Sequence, residues 1–331
     1  MHPENTPWSI GRAAMGGDAF VGVIVGDRMR DLRPEADTLG AADLSSPAAT
    51  VGLLERWTSV QPLMAALAAD TDAGTWLDVD DVELLAPLSP RQIFQAGANY
   101  RKHVVDLAVA HTELSGDRTI DQVRADAAAT MDKRKQGGSP FIFIGLPSAV
   151  TGPTQTVTLP AYSEKHDWEL ELAAVIGIPA YRVSADDALA HVAAYTIVND
   201  LTTRDLVFRR DMPELGADWF RAKNAPGFLP LGPSLVPAEF VPDPQDLTLT
   251  LTLNGQTMQD ESTADMLFSV AEIVAAASQT TTLLPGDLVL TGSPAGNGAA
   301  WGRLLRDGDV MQSTISGLGR QTTRVIAEAG R

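Results

Sequence analysis

The clearest alternation of polar and apolar positions is Lys165-His166-Asp167-Trp168-Glu169-Leu170-Glu171-Leu172, which runs into the apolar stretch Ala173-Ala174-Val175-Ile176-Gly177. Successive strand side chains point to opposite faces, so Glu169 and Glu171 share one face and Leu170 and Leu172 the other. The pattern predicts a strand that carries two carboxylates to the edge of a core. A second apolar run, Tyr195-Thr196-Ile197-Val198-Asn199, closes on a third carboxylate, Asp200.

The rest of the chain divides at residue 88. Before it, residues 20–25, the Gly26-Asp27 turn and residues 28–32 predict a hairpin. Helices are expected near 51–57 and 60–69, then an acidic loop over 70–81. Pro87, Ser89 and Pro90 punctuate the chain. Residues 1–88 thus read as a small α/β domain without a catalytic constellation, serving stability or dimer contact, and 89–331 as the main domain. Within the main domain a strand at 93–97 bends at Ala98-Asn99 into a segment with His103 and Asp106 on one helical face. Residues 107–136 are polar, with a helix expected over 121–134, and Gly137-Gly138 offers a joint. The stretch 104–139 is therefore read as a lid insertion, with a solvated surface insertion as the plainer alternative. Strands are expected at 141–144 and 156–160, and a helix at 185–194. Residues 247–253 alternate cleanly into the hairpin dipeptide Asn254-Gly255. Ser262 or Thr263 is positioned to cap a helix over 265–278. Residues 284–298 read as turn, strand and glycine-rich loop; no helix pattern follows those glycines, which argues against a dinucleotide or phosphate cradle.

Composition narrows the classes. At 331 residues, 44% hydrophobic and 20% charged, the chain has the make-up of a soluble globular protein. Its formal net charge of −17 argues against nucleic acid or an anionic membrane as partner. The absence of cysteine excludes disulfides, thiolate catalysis and cysteine-based metal sites. No run of 18 apolar residues and no secretory pattern at residues 1–12 is present, so a cytoplasmic location is expected.

The charge pattern then suggests chemistry. Two carboxylates pressed together near a core are unfavourable unless a cation or a proton neutralises them. Glu169, Glu171 and Asp200 would offer only oxygen, which suits Mg²⁺ or Mn²⁺ better than Zn²⁺; the plain alternative is a solvated strand face. His103 with Asp106 can act as a general base and its orienting carboxylate, or form a surface ion pair. Arg204 and Lys223 supply the positive charge that an anionic substrate needs, and Thr291 with backbone amides of its glycine-rich loop can grip a carboxylate.

In order, Asn99-Tyr100-x-x-His103, Glu169-x-Glu171-Leu172, Asn199-Asp200-x-x-x-Arg204-Asp205, Lys223, the Asn254-Gly255 hairpin leading to Asp265-Met266, and Pro285-Gly286-Asp287 through Thr291-Gly292-Ser293-Pro294-Ala295-Gly296 resemble the fumarylacetoacetate hydrolase superfamily over residues 90–325. The resemblance implies an α+β fold with a mixed β-roll catalytic domain, Mg²⁺ or Mn²⁺ on Glu169, Glu171 and Asp200, and a homodimer. It also implies a small anionic 2-oxo or diketo acid as substrate. His103 with Asp106 and Lys223 would be catalytic, and Tyr100, Arg204, Thr291 and Gly292 would face the substrate. Three positions depart from the family pattern: Asp106 where many hydrolytic members have Glu, Gly145 where many have Lys, and Val207 where Gln is frequent. The expectation is hydrolysis of a carbon–carbon bond in an acylpyruvate-like acid. Alternatives are decarboxylation, isomerisation or hydration at the same metal–enolate site, and a non-catalytic ligand-binding protein on the same scaffold.

Overall fold

The computed structural model describes residues 7–110, 119–209 and 211–329. Its centre is a six-stranded mixed sheet in the order Val236–Pro237, Val192–Asn199, Leu170–Ile176, Leu288–Leu290, Ile93–Gly97, Phe141–Gly145. Leu170–Ile176 and Val192–Asn199 are buried along their whole length, as expected of strands covered on both faces. The alternation holds: Leu170, Leu172, Ala174 and Ile176 enter one core, and Ala173 and Val175 enter another.

Each face has its own cover. On the Leu170 side lie the five-stranded sheet built on Thr248–Leu253 and the helix Val270–Thr280. On the Ala173 side lies the N-terminal unit, a sheet of Ser9–Met15, Asp18–Val25, Arg28–Asp31, Trp76–Asp78 and Glu83–Leu85 with the helices Ala49–Leu54 and Trp57–Ala69. The resulting architecture is α+β with several mixed sheets. Among the described residues no helix is long and apolar enough to cross a membrane.

Several expectations shift. Ser9–Met15 gave no strand signal because Gly, Ala and Arg dilute its alternation. Its Gly11 pairs with Gly22, where a Cβ would fall 2.5 Å from Met29 Cε, so the pair keeps open the space that the buried Met29 fills. The 185–194 helix is a short turn, Ala185–Ala188, then a 3₁₀ turn to His191, because the central strand already starts at Val192. The helix expected over 265–278 begins at Val270, capped by Ser269 with Glu272 in a capping box; Ser262 caps the preceding 3₁₀ turn instead.

The polar stretch after His103 contains two helices, Arg101–Ala110 and Ile120–Gly137. The second is held to the body by Arg101–Asp132 at 2.9 Å, Lys135–Glu272 at 2.9 Å and the buried Val123 and Met131. Gly137 is its last residue and Gly138 its C-terminal cap. Residues 111–118 of the expected lid lie outside the described residues.

Candidate active site

Strand polarity gathers the site at one end of the central sheet. Leu170–Ile176 begins there, while Val192–Asn199, Leu288–Leu290 and Ile93–Gly97 end there. The sheet therefore delivers Glu169, Glu171 and Asp200 to one point, where one oxygen from each lies within 4.8 Å of the others. All three are buried.

Two cations brace this trio. Lys223 Nζ lies 2.6 Å from Glu169 Oε2 and 2.5 Å from Asp200 Oδ2. Arg204 Nη2 lies 2.8 Å from Glu169 Oε1, and its Nε donates to Asp167 Oδ2 at 2.7 Å. Lys223 arrives on the short helix Trp219–Lys223 and Arg204 on the 3₁₀ turn Arg204–Leu206, both in the segment that follows the strand Val192–Asn199.

The charges sort unevenly. Burial works against the Glu169 carboxylate, yet Lys223 and Arg204 outweigh it and hold that group well below the usual range. Burial also opposes the Lys223 ammonium, and Asp200, Glu169 and Glu171 outweigh it and raise its pKa. Glu171 and Asp200 go the other way: burial first, then the neighbouring carboxylates, push both up. Asp200 Oδ1 is buried without a hydrogen-bond partner. Three acids around one ammonium, two of them driven toward protonation and one with an orphaned oxygen, fit a missing positive charge. An all-oxygen donor set of this kind can hold a divalent ion.

His103 lines the same cavity, buried at 7% exposure. Burial, reinforced by Arg204 and Lys223, lowers its pKa to about 4, so the ring is neutral at pH 7. The hydrogen-bonding neighbour that favours its charged form is Asn297. Asn297 Nδ2 donates to Trp168 O at 2.9 Å and leaves its buried Oδ1 without a direct partner.

Four other expected site residues are placed differently. Asp106 lies 3.5 Å from Arg124 and outside the cavity lining, so the structure pairs it with that guanidinium, and the side chain that favours the charged His103 ring is Asn297. Thr291 donates its hydroxyl to Leu172 O at 2.9 Å, and the Gly292 amide donates to Glu171 Oε2 at 2.7 Å. Neither is open to a ligand carboxylate, because both are used to tie the glycine-rich loop to the Glu171 strand. Tyr100 is fully buried with an unpartnered hydroxyl, its pKa raised well above 10 by burial and by Glu171.

Asp167 and Asn297 were missed. Asp167 had a signal, since it shares parity with Glu169 and Glu171. It accepts from the amides of Trp168, Gly298 and Ala299 at 2.8, 2.6 and 3.1 Å. A helical turn, Gly298–Trp301, does follow the glycine-rich loop, and Asp167 occupies its first amides, the position a phosphate would need. Gly298 is obligatory there, because a Cβ would fall 2.6 Å from Asp167 Oδ1 and 2.3 Å from Arg303 O. Asn297 had no signal, as nothing in a glycine-rich loop marks one amide as facing a histidine 194 positions earlier.

A family model described as the fumarylacetoacetate (FAA) hydrolase C-terminal domain matches residues 92–326. The chain belongs to the fumarylacetoacetate hydrolase family. This fumarylacetoacetate hydrolase family member is 32% identical over 292 residues to a mitochondrial oxaloacetate tautomerase, FAHD2B, of Homo sapiens, covering 87% of this chain and 83% of that one. It is 40% identical over 189 residues to a 2,4-didehydro-3-deoxy-L-rhamnonate hydrolase of Sphingomonas sp. (strain SKA58), covering 56% and 65%. The solved fumarylacetoacetate hydrolase of Exiguobacterium antarcticum superposes with a TM-score of 0.75 at 29% identity, covering 97% of this chain and all of that one. Several other curated relatives are matched over only 59% of their own length. By these names, the family includes enzymes that hydrolyse and enzymes that tautomerise small organic acids.

Proposed function

We propose that the chain is a divalent-metal-dependent hydrolase that cleaves a carbon–carbon bond in a 2-oxo or 2,4-diketo acid of acylpyruvate type. The observation that carries this reading is the buried Glu169–Glu171–Asp200 trio sharing one cavity with a neutral imidazole. Glu169, Glu171 and Asp200 would hold Mg²⁺ or Mn²⁺, which would supply Lewis-acid stabilisation of charge on the oxygens of a 2-oxo acid.

The chain's own groups account for the rest. Neutral His103 takes a proton from water, whose oxygen bonds to the distal carbonyl carbon of the acid. The bond from that carbon to C3 then breaks, its electrons leave on the 2-oxo fragment as an enolate, and protonation at C3 completes the two products. The Asn297 side chain favours the charged form of the ring, so it supports His103 as it takes up the proton. Lys223 and Arg204 keep Glu169 ionised and offset negative charge in the transition state. A homodimer and a cytoplasmic location belong to the same proposal, and light scattering and cell fractionation test them.

Two observations favour a second reading. Asp106 is engaged by Arg124 rather than by His103, and the relative matched over 87% of this chain is named an oxaloacetate tautomerase. Proton shuttling between keto and enol forms needs a base but no attacking water. Incubating the Mg²⁺-loaded protein with acylpyruvates and oxaloacetate and weighing the products separates the two. Hydrolysis adds the mass of water across two fragments, tautomerisation leaves the mass unchanged, and decarboxylation loses carbon dioxide. Unchanged mass throughout, with faster enol decay, would replace the hydrolytic reading.

A further inference from the structure

We infer that the cavity is built for a 2-oxo acid with one carboxylate and an aromatic-sized apolar tail, rather than for a short diacid; this rests on the chelating reading above. The cavity encloses about 720 Å³, within the range of roughly 300–1,000 Å³ typical of small-ligand sites and far more than a four-carbon diacid fills. Its lining holds the carboxylate trio and also Val207, Phe208 and a wall of three packed rings, Phe141, Phe143 and Trp219.

The wall is ordered and close. Phe143 and Trp219 stack with centroids 4.8 Å apart and planes 18° apart, and Phe141 stands 6.1 and 6.5 Å from them. Lys223 Nζ, in contact with Glu169 and Asp200, is 5.9 Å from the Phe143 centroid and 5.8 Å from that of Trp219. A molecule chelated at the trio therefore meets the rings within a few bonds. Phe141 is 47% and Phe208 70% exposed, so covering them with an apolar group recovers hydrophobic free energy and ring contact.

Charge balance points the same way. Arg204 and Lys223 are shared among four carboxylates, Asp167, Glu169, Glu171 and Asp200, and a divalent ion would cancel the two negative charges left over. The described lining adds Lys165 and Asp205, of opposite formal charge. Among the described residues of the site, the formal charges then sum to zero with the ion in place, which leaves no net positive charge to draw a second substrate carboxylate. A distal carboxylate would also lose its water against the rings, which is unfavourable for a charge without a partner.

Inert chelators test this without turnover. Oxalate, N-methyloxamate, N-benzyloxamate and N-oxalylglycine present the same chelating oxygens with no tail, a methyl, a phenyl-bearing tail and a carboxylate-bearing tail of matching length. Calorimetry with the full chain in Mg²⁺ should show N-benzyloxamate binding at least about tenfold tighter than N-methyloxamate. N-oxalylglycine should bind no tighter than N-methyloxamate. Trp219→Ala should cut the benzyl preference to less than about threefold and leave oxalate affinity within about twofold. Phe141→Ala, at a half-exposed ring, should fold and reduce the preference in part, which keeps the test alive if Trp219→Ala does not fold. Equal affinity for the benzyl and methyl compounds, or tighter binding of N-oxalylglycine, with oxalate still Mg²⁺-dependent, overturns the tail assignment alone. Oxalate binding that ignores Mg²⁺ overturns the chelating reading and the tail assignment with it.

Discussion

Replacing Lys223 by methionine keeps the stem and removes the ammonium from between Glu169 and Asp200. At about 4 Å and an effective dielectric constant near 20, each ion pair carries roughly 4 kcal/mol of gross attraction, most of it returned as desolvation. Removing one partner of a buried pair costs about 3–5 kcal/mol, because the charges left behind have neither water nor a counterion. Lys223 is 4% exposed, so solvent screening is slight. In EDTA, Lys223→Met should therefore lower the unfolding free energy by about 3–5 kcal/mol in a urea titration. In saturating Mg²⁺ the loss should be smaller, since the ion neutralises the same oxygens and binding to the folded state adds stability. Calorimetry should show Mg²⁺ binding the variant at least as tightly as the parent, while turnover is lost. An equal loss of stability in both media, together with weaker Mg²⁺ binding, would refute the reasoning; the ammonium would then be placing the ligands rather than standing in for missing charge.

Glu171→Gln should weaken Mg²⁺ binding by more than about tenfold by calorimetry, and parental affinity would exclude Glu171 as a ligand. His103→Ala should reduce turnover by about 10²–10⁴ with Mg²⁺ affinity within about twofold, and parental rates would remove it as the base. The folded pKa of His103, about 4, lies below the unfolded value. The unfolded chain thus binds the extra proton between pH 6.5 and 4, and stability falls as pH drops through that window, with no contribution above it. His103→Gln should erase that part of the slope in EDTA; a slope that persists unchanged in the variant would contradict a buried, neutral ring. Gly298→Ala should cost about 1–3 kcal/mol in thermal or urea unfolding and lower activity, by driving Asp167 off the helix amides and Arg204 with it; unchanged activity would detach Asp167 from the site.

The carboxylate trio was legible because strand parity is a strong signal: alternation alone placed Glu169 and Glu171 on one face, and a second apolar run delivered Asp200. Lys223 and Arg204 followed from charge, since an acidic site for an anion needs nearby cations. What sequence could not supply was the sharing of polar groups between distant segments. Thr291 looked like a free hydroxyl until the fold set it against Leu172 O. Asp106 sits three residues from His103 and still pairs across to Arg124, because helix spacing makes a contact available without deciding which neighbour takes it. The aromatic wall was invisible for the same reason, as Phe143 and Trp219 are 76 positions apart and meet only through the edge strand and the short helix.

Trp219 and Lys223 stand one turn apart on the same five-residue helix. The side chain that would feel a bulky substituent and the ammonium that grips the acids are therefore parts of one small rigid lever. Contact made far from the reacting bond can be felt at that bond, so trimming the substituent should slow the chemical step as well as loosen binding.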